Sequence, residues 1–367
     1  MKDKSSRPPS RAAGPVAPND RAVRRKRQPA AIPTSPGAAR PSRPPRPPRP
    51  PRALQARKPA QGDISALDVE LLLAEAEAGG PPDLTDARVV RRILRHHGLR
   101  PHKGFGQHLL VDREVLDAIV AAAEIEPTDA VLEVGAGMGV LTEALAARAS
   151  RVVAVELERD ILPVLRETTA RFANVEIIAR NLLTVRPEEV FGAQPYKLVA
   201  NLPYYITAPT LRHFLEAANR PTRLVVMVQR EVGARLVAAP GDLSLLGVSV
   251  QFYGQPRLIR LVPAAAFYPP PKVDSAIVRI DVYPTPPLDG ATRDRLFQLA
   301  HAGFAERRKQ LHNTLAHTLK LPRATIAAWL ERAGINPTRR AETLSVDEWV
   351  RLTQAAQGGA PAEQPGE

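Results

Sequence analysis

The chain has 367 residues, with 44% hydrophobic, 24% charged and 4% aromatic side chains, 38 prolines and no cysteine. That length can bury a sizeable core in one large or two ordinary domains, and the lack of cysteine excludes a disulfide framework, a thiolate zinc site, an iron–sulfur cluster and a catalytic thiol. The net charge of +13 is localised: residues 1–60 hold 16 basic and 2 acidic side chains, and the other 307 residues hold 35 and 36. A cationic tail thus precedes a near-neutral body. Histidine offers no zinc site either, because His312 and His317 are five apart, off a common helical face, and no HExxH occurs. No apolar run approaches the ~18 residues of a membrane span.

Residues 1–62 read as a disordered basic tail. The first 60 residues contain 15 of the prolines and few apolar side chains to offset chain entropy. Such charge gives salt-sensitive, sequence-independent affinity for nucleic acid; a solubilising extension fits as well. The arginines also suit a transit peptide, although the prolines oppose its amphipathic helix. Residues 63–99 read as a helical extension. The apolar spacing at 64–78 predicts one helix, stopped by Gly79-Gly80-Pro81-Pro82, and a capping region at 83–86 starts another that carries Val89, Val90, Ile93 and Leu94.

Residues 100–285 alternate β-rich and helical runs. Strands are predicted at 130–134, 152–155, 175–179, 198–200 and 224–228, all buried. Helices are predicted at 113–124, 138–149, 158–171 and 207–218. Continuous apolar strands separated by amphipathic helices predict an α/β fold with a doubly wound, Rossmann-like parallel sheet, which binds ligands at the carboxyl ends of its strands. Residues 286–356 are helical throughout, a smaller C-terminal domain; within it, residues 288–356 hold 11 basic and 7 acidic side chains. Residues 357–367 read as disordered.

The motifs fall at those carboxyl ends. The first strand runs into Glu133-Val134-Gly135-Ala136-Gly137-Met138-Gly139. Its glycines allow a tight turn, close approach of a ligand and access to the N–H groups of the next helix. The next strand ends at Glu156, 21 residues after Gly135, where a carboxylate can take both hydroxyls of a ribose. An adenosine-type cofactor follows, although a structural turn and a helix-capping acid would look the same. This pattern does not separate a nicotinamide dinucleotide from S-adenosylmethionine. The fourth strand does: it ends in Asn201-Leu202-Pro203-Tyr204, which suits chemistry on an exocyclic amine. The N6 lone pair of adenine is conjugated into its ring. The Asn201 side-chain oxygen and the Leu202 carbonyl could accept its two N–H bonds and favour a pyramidal nitrogen. Tyr204 could stack on a base taken out of its own stack, a contact worth ~1–3 kcal/mol.

With these motifs in order, the sequence resembles the ribosomal RNA adenine N6-dimethyltransferases, most of all the bacterial type that acts on small-subunit RNA. The resemblance spans about residues 90–356. It rests on Gly104-Phe105-Gly106-Gln107-His108-Leu109-Leu110, residues 133–139 and 201–204, Phe267-Tyr268-Pro269-Pro270-Pro271-Lys272-Val273-Asp274-Ser275, and Phe304 with Arg307-Arg308-Lys309-Gln310-Leu311. It implies that His108 and Leu110 contact the methionine end of S-adenosylmethionine, that Gly135 and Gly137 hold that end, and that Glu156 holds the ribose. Asn181 would meet the adenine amino group, Asn201 would lie between donor and base, and Phe267 would face Tyr204 as a second aromatic wall. The family usually has Asn at the position of His108 and Asp at that of Asn181. A neutral amide makes the weaker hydrogen bond, which bears on donor affinity more than on reaction type.

The implied activity is dimethylation of the N6 amine of two adjacent adenosines in small-subunit RNA, within an immature 30S-type subunit, by a cytoplasmic monomer without membrane contact. The donor is already activated, so no metal is required, and positioning and electrostatics carry catalysis. Arg307, Arg308 and Lys309 form a cationic cluster suited to RNA phosphates, though a solvated helix face would look alike. The competing readings are adenine methylation of large-subunit RNA (the resistance type) or of DNA, a nicotinamide-dependent oxidoreductase, and a mainly non-catalytic role in ribosome assembly.

Overall fold

The computed structural model describes residues 80–100 and 108–358. The expected tail, the helix at 64–78, the stretch 104–107 and residues 359–367 lie outside them. The second helix of the extension is present as α1 (Ala87–His96), started by Asp86, whose side chain accepts the Arg88 N–H.

Among the described residues a sheet of seven strands organises the body. Its elements are α2 (Arg113–Ala123), β2 (Ala130–Val134), α3 (Val140–Ala146), β3 (Arg151–Glu156), α4 (Leu162–Thr169), β4 (Val175–Ala179), α5 (Pro187–Phe191), β5 (Lys197–Asn201), α6 (Thr207–Leu215), β6 (Arg223–Gln229), α7 (Arg230–Leu236), α8 (Leu245–Gln251), β7 (Gly254–Val262) and β9 (Ser275–Val282). A separate antiparallel pair joins β1 (Leu109–Leu110) to β8 (Phe267–Tyr268). The large sheet runs β4-β3-β2-β5-β6-β9-β7. Its first five strands are parallel, as the alternation predicts. The last two correct a purely parallel reading, since β9 lies antiparallel to both β6 and β7. The segment 175–179 is corrected as well: β4 ends the sheet and is half-buried, with the exposed Glu176 bonded to Arg151 at 2.6 Å.

Alternate residues of the central strands feed two apolar layers, which is why these strands carry continuous hydrophobic runs. Leu132, Val134, Leu198, Ala200, Leu224 and Val226 face one layer, with Leu211, Phe214 and Leu215 of α6. Val131, Val199, Val225 and Met227 face the other, against Val115, Leu116 and Ile119 of α2 and Leu141 and Leu145 of α3.

Beyond the sheet come α9 (Gly290–Phe304), α10 (Leu311–Leu319), α11 (Arg323–Arg332) and α12 (Val346–Gln357), in keeping with the helical pattern of the sequence. Their apolar residues, including Leu296, Leu315, Leu330 and Trp349, are continuous with the first layer of the sheet. The last helix starts with a reciprocal cap, in which Ser345 accepts the Glu348 N–H and Glu348 accepts the Ser345 N–H. Among the described residues no helix is long and apolar enough to cross a membrane.

Candidate active site

The glycine turn after β2, the acid at the end of β3 and the tetrapeptide after β5 meet because β2 lies between β3 and β5. Their carboxyl ends line one cavity of about 350 Å³, within the usual range for small-molecule sites. His108, Leu110, Gly135, Gly137, Glu156, Asn181, Asn201, Leu202 and Tyr204 all border it.

Two of the glycines are required by geometry. Gly135 and Gly137 have φ of 75° and 58°, a region that L side chains rarely adopt. A Cβ on Gly137 would also stand 3.3 Å from Leu109 Cδ2, and one on Gly135 3.5 Å from the Asn201 carbonyl oxygen. The turn is held by Glu156, whose Oε2 accepts the Gly137 N–H at 2.8 Å while Oε1 accepts the N–H groups of Leu157 and Glu158 at 2.8 and 2.9 Å. The acid expected to hold a ribose is therefore also the brace of the glycine turn. Asn181 caps a single turn in the same way: its Oδ1 accepts the Leu183 N–H at 3.0 Å.

The tetrapeptide 201–204 is fixed from both sides. The Leu202 N–H donates to the Met227 carbonyl of β6 at 3.2 Å. Asn201 Nδ2 donates to the His108 carbonyl at 3.1 Å, which orients the amide. The Tyr204 hydroxyl is 2.7 Å from Ser275 Oγ. Burial pushes the Tyr204 hydroxyl up, with the Ser275 hydrogen bond opposing and Asp274 adding to the rise; the phenol stays neutral. Phe267, expected to face Tyr204, lies in the apolar core. It is 3% exposed, sits within the second apolar layer and does not border the cavity. The His108 ring lies against it, with ring centroids 6.5 Å apart. Arg307, Arg308 and Lys309 occupy an exposed turn between α9 and α10.

Several residues of the site carry no role in the sequence reading. Leu84 and Val90, at the start of the chain's described part, border the cavity and pack in one apolar cluster with Met138; the helical spacing of Val90 identifies an apolar face but not what it covers, and Leu84 precedes the helix. Glu133 belongs to the glycine motif, yet nothing local shows that it is 1% exposed and accepts the Thr142 hydroxyl at 2.5 Å. Burial pushes its carboxyl up from 4.5 to about 8, against the Thr142 hydrogen bond and with the help of the Glu156 charge. Between those two values the unfolded chain has released a proton that the folded chain keeps, so this residue makes stability fall as pH rises. Glu133→Gln, which still accepts from Thr142, is expected to melt near the native protein at pH 4.5 and above it at pH 8. A melting difference that stays constant across this interval would contradict the burial account.

Five parallel strands with a glycine turn after the central one, an acid at the next strand end and an Asn-Leu-Pro-Tyr segment across from them define an α/β protein of the methyltransferase type. The chain matches the model for "Ribosomal RNA adenine dimethylase" over residues 98–357. It is 48% identical to the Ribosomal RNA small subunit methyltransferase A of Dehalococcoides mccartyi over 286 residues, which cover 78% of this chain and 96% of that protein. Among solved structures it is similar to the 23S rRNA methyltransferase ErmE, with 29% identity and a TM-score of 0.56, over 68% of this chain and 99% of that one. A dimethyladenosine transferase from Plasmodium falciparum shares the fold, with 24% identity and a TM-score of 0.58, over 67% of this chain and 96% of that one. The chain belongs to the ribosomal RNA adenine dimethylase family.

Proposed function

We propose that this protein transfers methyl groups from S-adenosylmethionine to the N6 amine of adenosines in small-subunit ribosomal RNA, two per base and on two adjacent bases. It would act as a cytoplasmic monomer on an immature 30S-type subunit. The observation that carries this reading is the apposition of residues 201–204 and the glycine turn across one cavity, with Asn201 shared between them. The resemblance to a small-subunit enzyme over nearly all of that protein's length supports the choice of RNA.

The residues present fit the donor: the backbone of Gly135 and Gly137, which borders the cavity, suits its methionine portion, Glu156 its ribose, and Asn181 its adenine, with His108 and Leu110 beside it. When bound, the donor supplies a methyl carbon already activated on positive sulfur. The chain's own task is to hold the amine in line with that carbon. The Asn201 Oδ1 and the Leu202 carbonyl accept the N6–H bonds and so free the lone pair. Tyr204 stacks on the base, and with Phe267 it favours the charge growing on nitrogen, by ~0.5–2 kcal/mol. Residues 100–285 carry this chemistry, and residues 286–356 bring RNA to it, with Arg307, Arg308 and Lys309 on phosphates.

The deciding assay offers labelled donor with immature small subunits, large-subunit RNA and duplex DNA in parallel. Label is expected in the small-subunit RNA as dimethyladenosine. Label confined to large-subunit RNA would favour the second reading, which the likeness to ErmE supports.

A further inference from the structure

The short β1–β8 pairing sets His108 beside the loop that follows Phe267. Leu109 pairs with Tyr268 and Leu110 with Phe267, so the residue before β1 meets the residue after β8. His108 Nδ1 lies 2.7 Å from the Pro269 carbonyl oxygen. A carbonyl only accepts, so Nδ1 donates and the tautomer is set. The His108 carbonyl in turn accepts from Asn201. Held in this way, the imidazole stacks on Tyr204, with centroids 5.7 Å apart and planes 29° apart. The same ring meets Phe267 at 6.5 Å with planes 74° apart. One small aromatic ring therefore contacts both of the rings proposed to take the target base.

We infer that His108 is the stand-in for the target base: its imidazole fills the slot between Tyr204 and Phe267, and an adenine enters only by displacing it. This rests on reading Tyr204 and Phe267 as the walls of the base slot. It accords with Phe267 being buried without bordering the cavity, since the imidazole lies against it. It also gives the site a source of selectivity. Entry costs the His108 stack and the bond to Pro269, so a free nucleoside gains little from the exchange. A base delivered by a folded RNA brings binding energy from remote contacts to meet that cost. His108 is on this account a specificity residue for the known reaction.

The test uses the full-length protein and 2-aminopurine riboside, whose fluorescence falls when the base stacks on an aromatic ring. Titrations compare the native protein, His108→Ala, His108→Asn and each with Tyr204→Ala added. His108→Asn keeps an N–H for the Pro269 carbonyl but has no ring, and so covers the case in which the alanine variant folds poorly. Both single variants are expected to bind the probe about 10-fold more tightly than the native protein, a change equal to one decade in Kd, and Tyr204→Ala to abolish that gain. Unchanged or weaker binding in both His108 variants, with Tyr204→Ala still weakening the native protein, would overturn the stand-in role while leaving the base slot intact. Binding that ignores Tyr204→Ala in every background would overturn the slot itself, and this inference with it.

Discussion

Asn201→Ala is expected to lower the rate of methyl transfer by ~10²–10³-fold, the usual cost of deleting one aimed polar group from an active site. The Asn201 amide is anchored through Nδ2 to the His108 carbonyl at 3.1 Å, which turns Oδ1 to the other side. In the proposed mechanism that oxygen is the acceptor that loosens the lone pair of the adenine amine from the ring. Alanine removes the acceptor and also frees the His108 carbonyl. The C-terminal helices and the exposed cluster at residues 307–309 lie on other elements, so subunit binding should persist. Single-turnover transfer of labelled methyl to immature small subunits gives the rate, and co-sedimentation with those subunits gives binding. Transfer at the native rate would remove Asn201 from the mechanism. Loss of both readouts would show that the residue acts on the fold instead.

The second large effect is on stability. Trp349 is fully buried, its ring centroid 5.9 Å from that of Phe304. α9 approaches it so closely that a Cβ on Gly303 would stand 2.6 Å from the indole. Trp349→Ala should cost ~3–5 kcal/mol, the range for emptying an aromatic site in a core. The cavity would lie between α12 and α9, just before the turn that carries Arg307, Arg308 and Lys309, so RNA affinity is expected to fall with stability. Urea unfolding with an unchanged m-value measures the first effect and subunit binding the second. A cost below ~1 kcal/mol would mean that these helices close over the gap and are less rigidly packed than Gly303 and Trp349 imply.

Much of the site was legible because its parts are local. A glycine turn after an apolar strand, an acid at the next strand end and an Asn-Leu-Pro-Tyr segment each follow from short stretches of chain. The alternation of strands and helices places all of them at one edge of a parallel sheet. The strand ends agree closely, with 130–134 and 175–179 reproduced as β2 and β4. Less was legible at the sheet's far side. The antiparallel course of β9 beside β6 depends on how the chain returns after β7, and apolar runs do not state a direction.

What the sequence determined by itself is the set of chemical groups and the strand ends that carry them, because hydrophobic period and turn chemistry act over a few residues. The tertiary structure alone decided which groups share an environment. It set β4 at the sheet's edge, buried the Glu133 carboxyl beside Thr142, and brought the His108 ring against Tyr204 and Phe267, residues separated from it by 96 and 159 positions. Burial, dielectric and ring stacking depend on neighbours brought in by long-range strand order, and no local pattern encodes them.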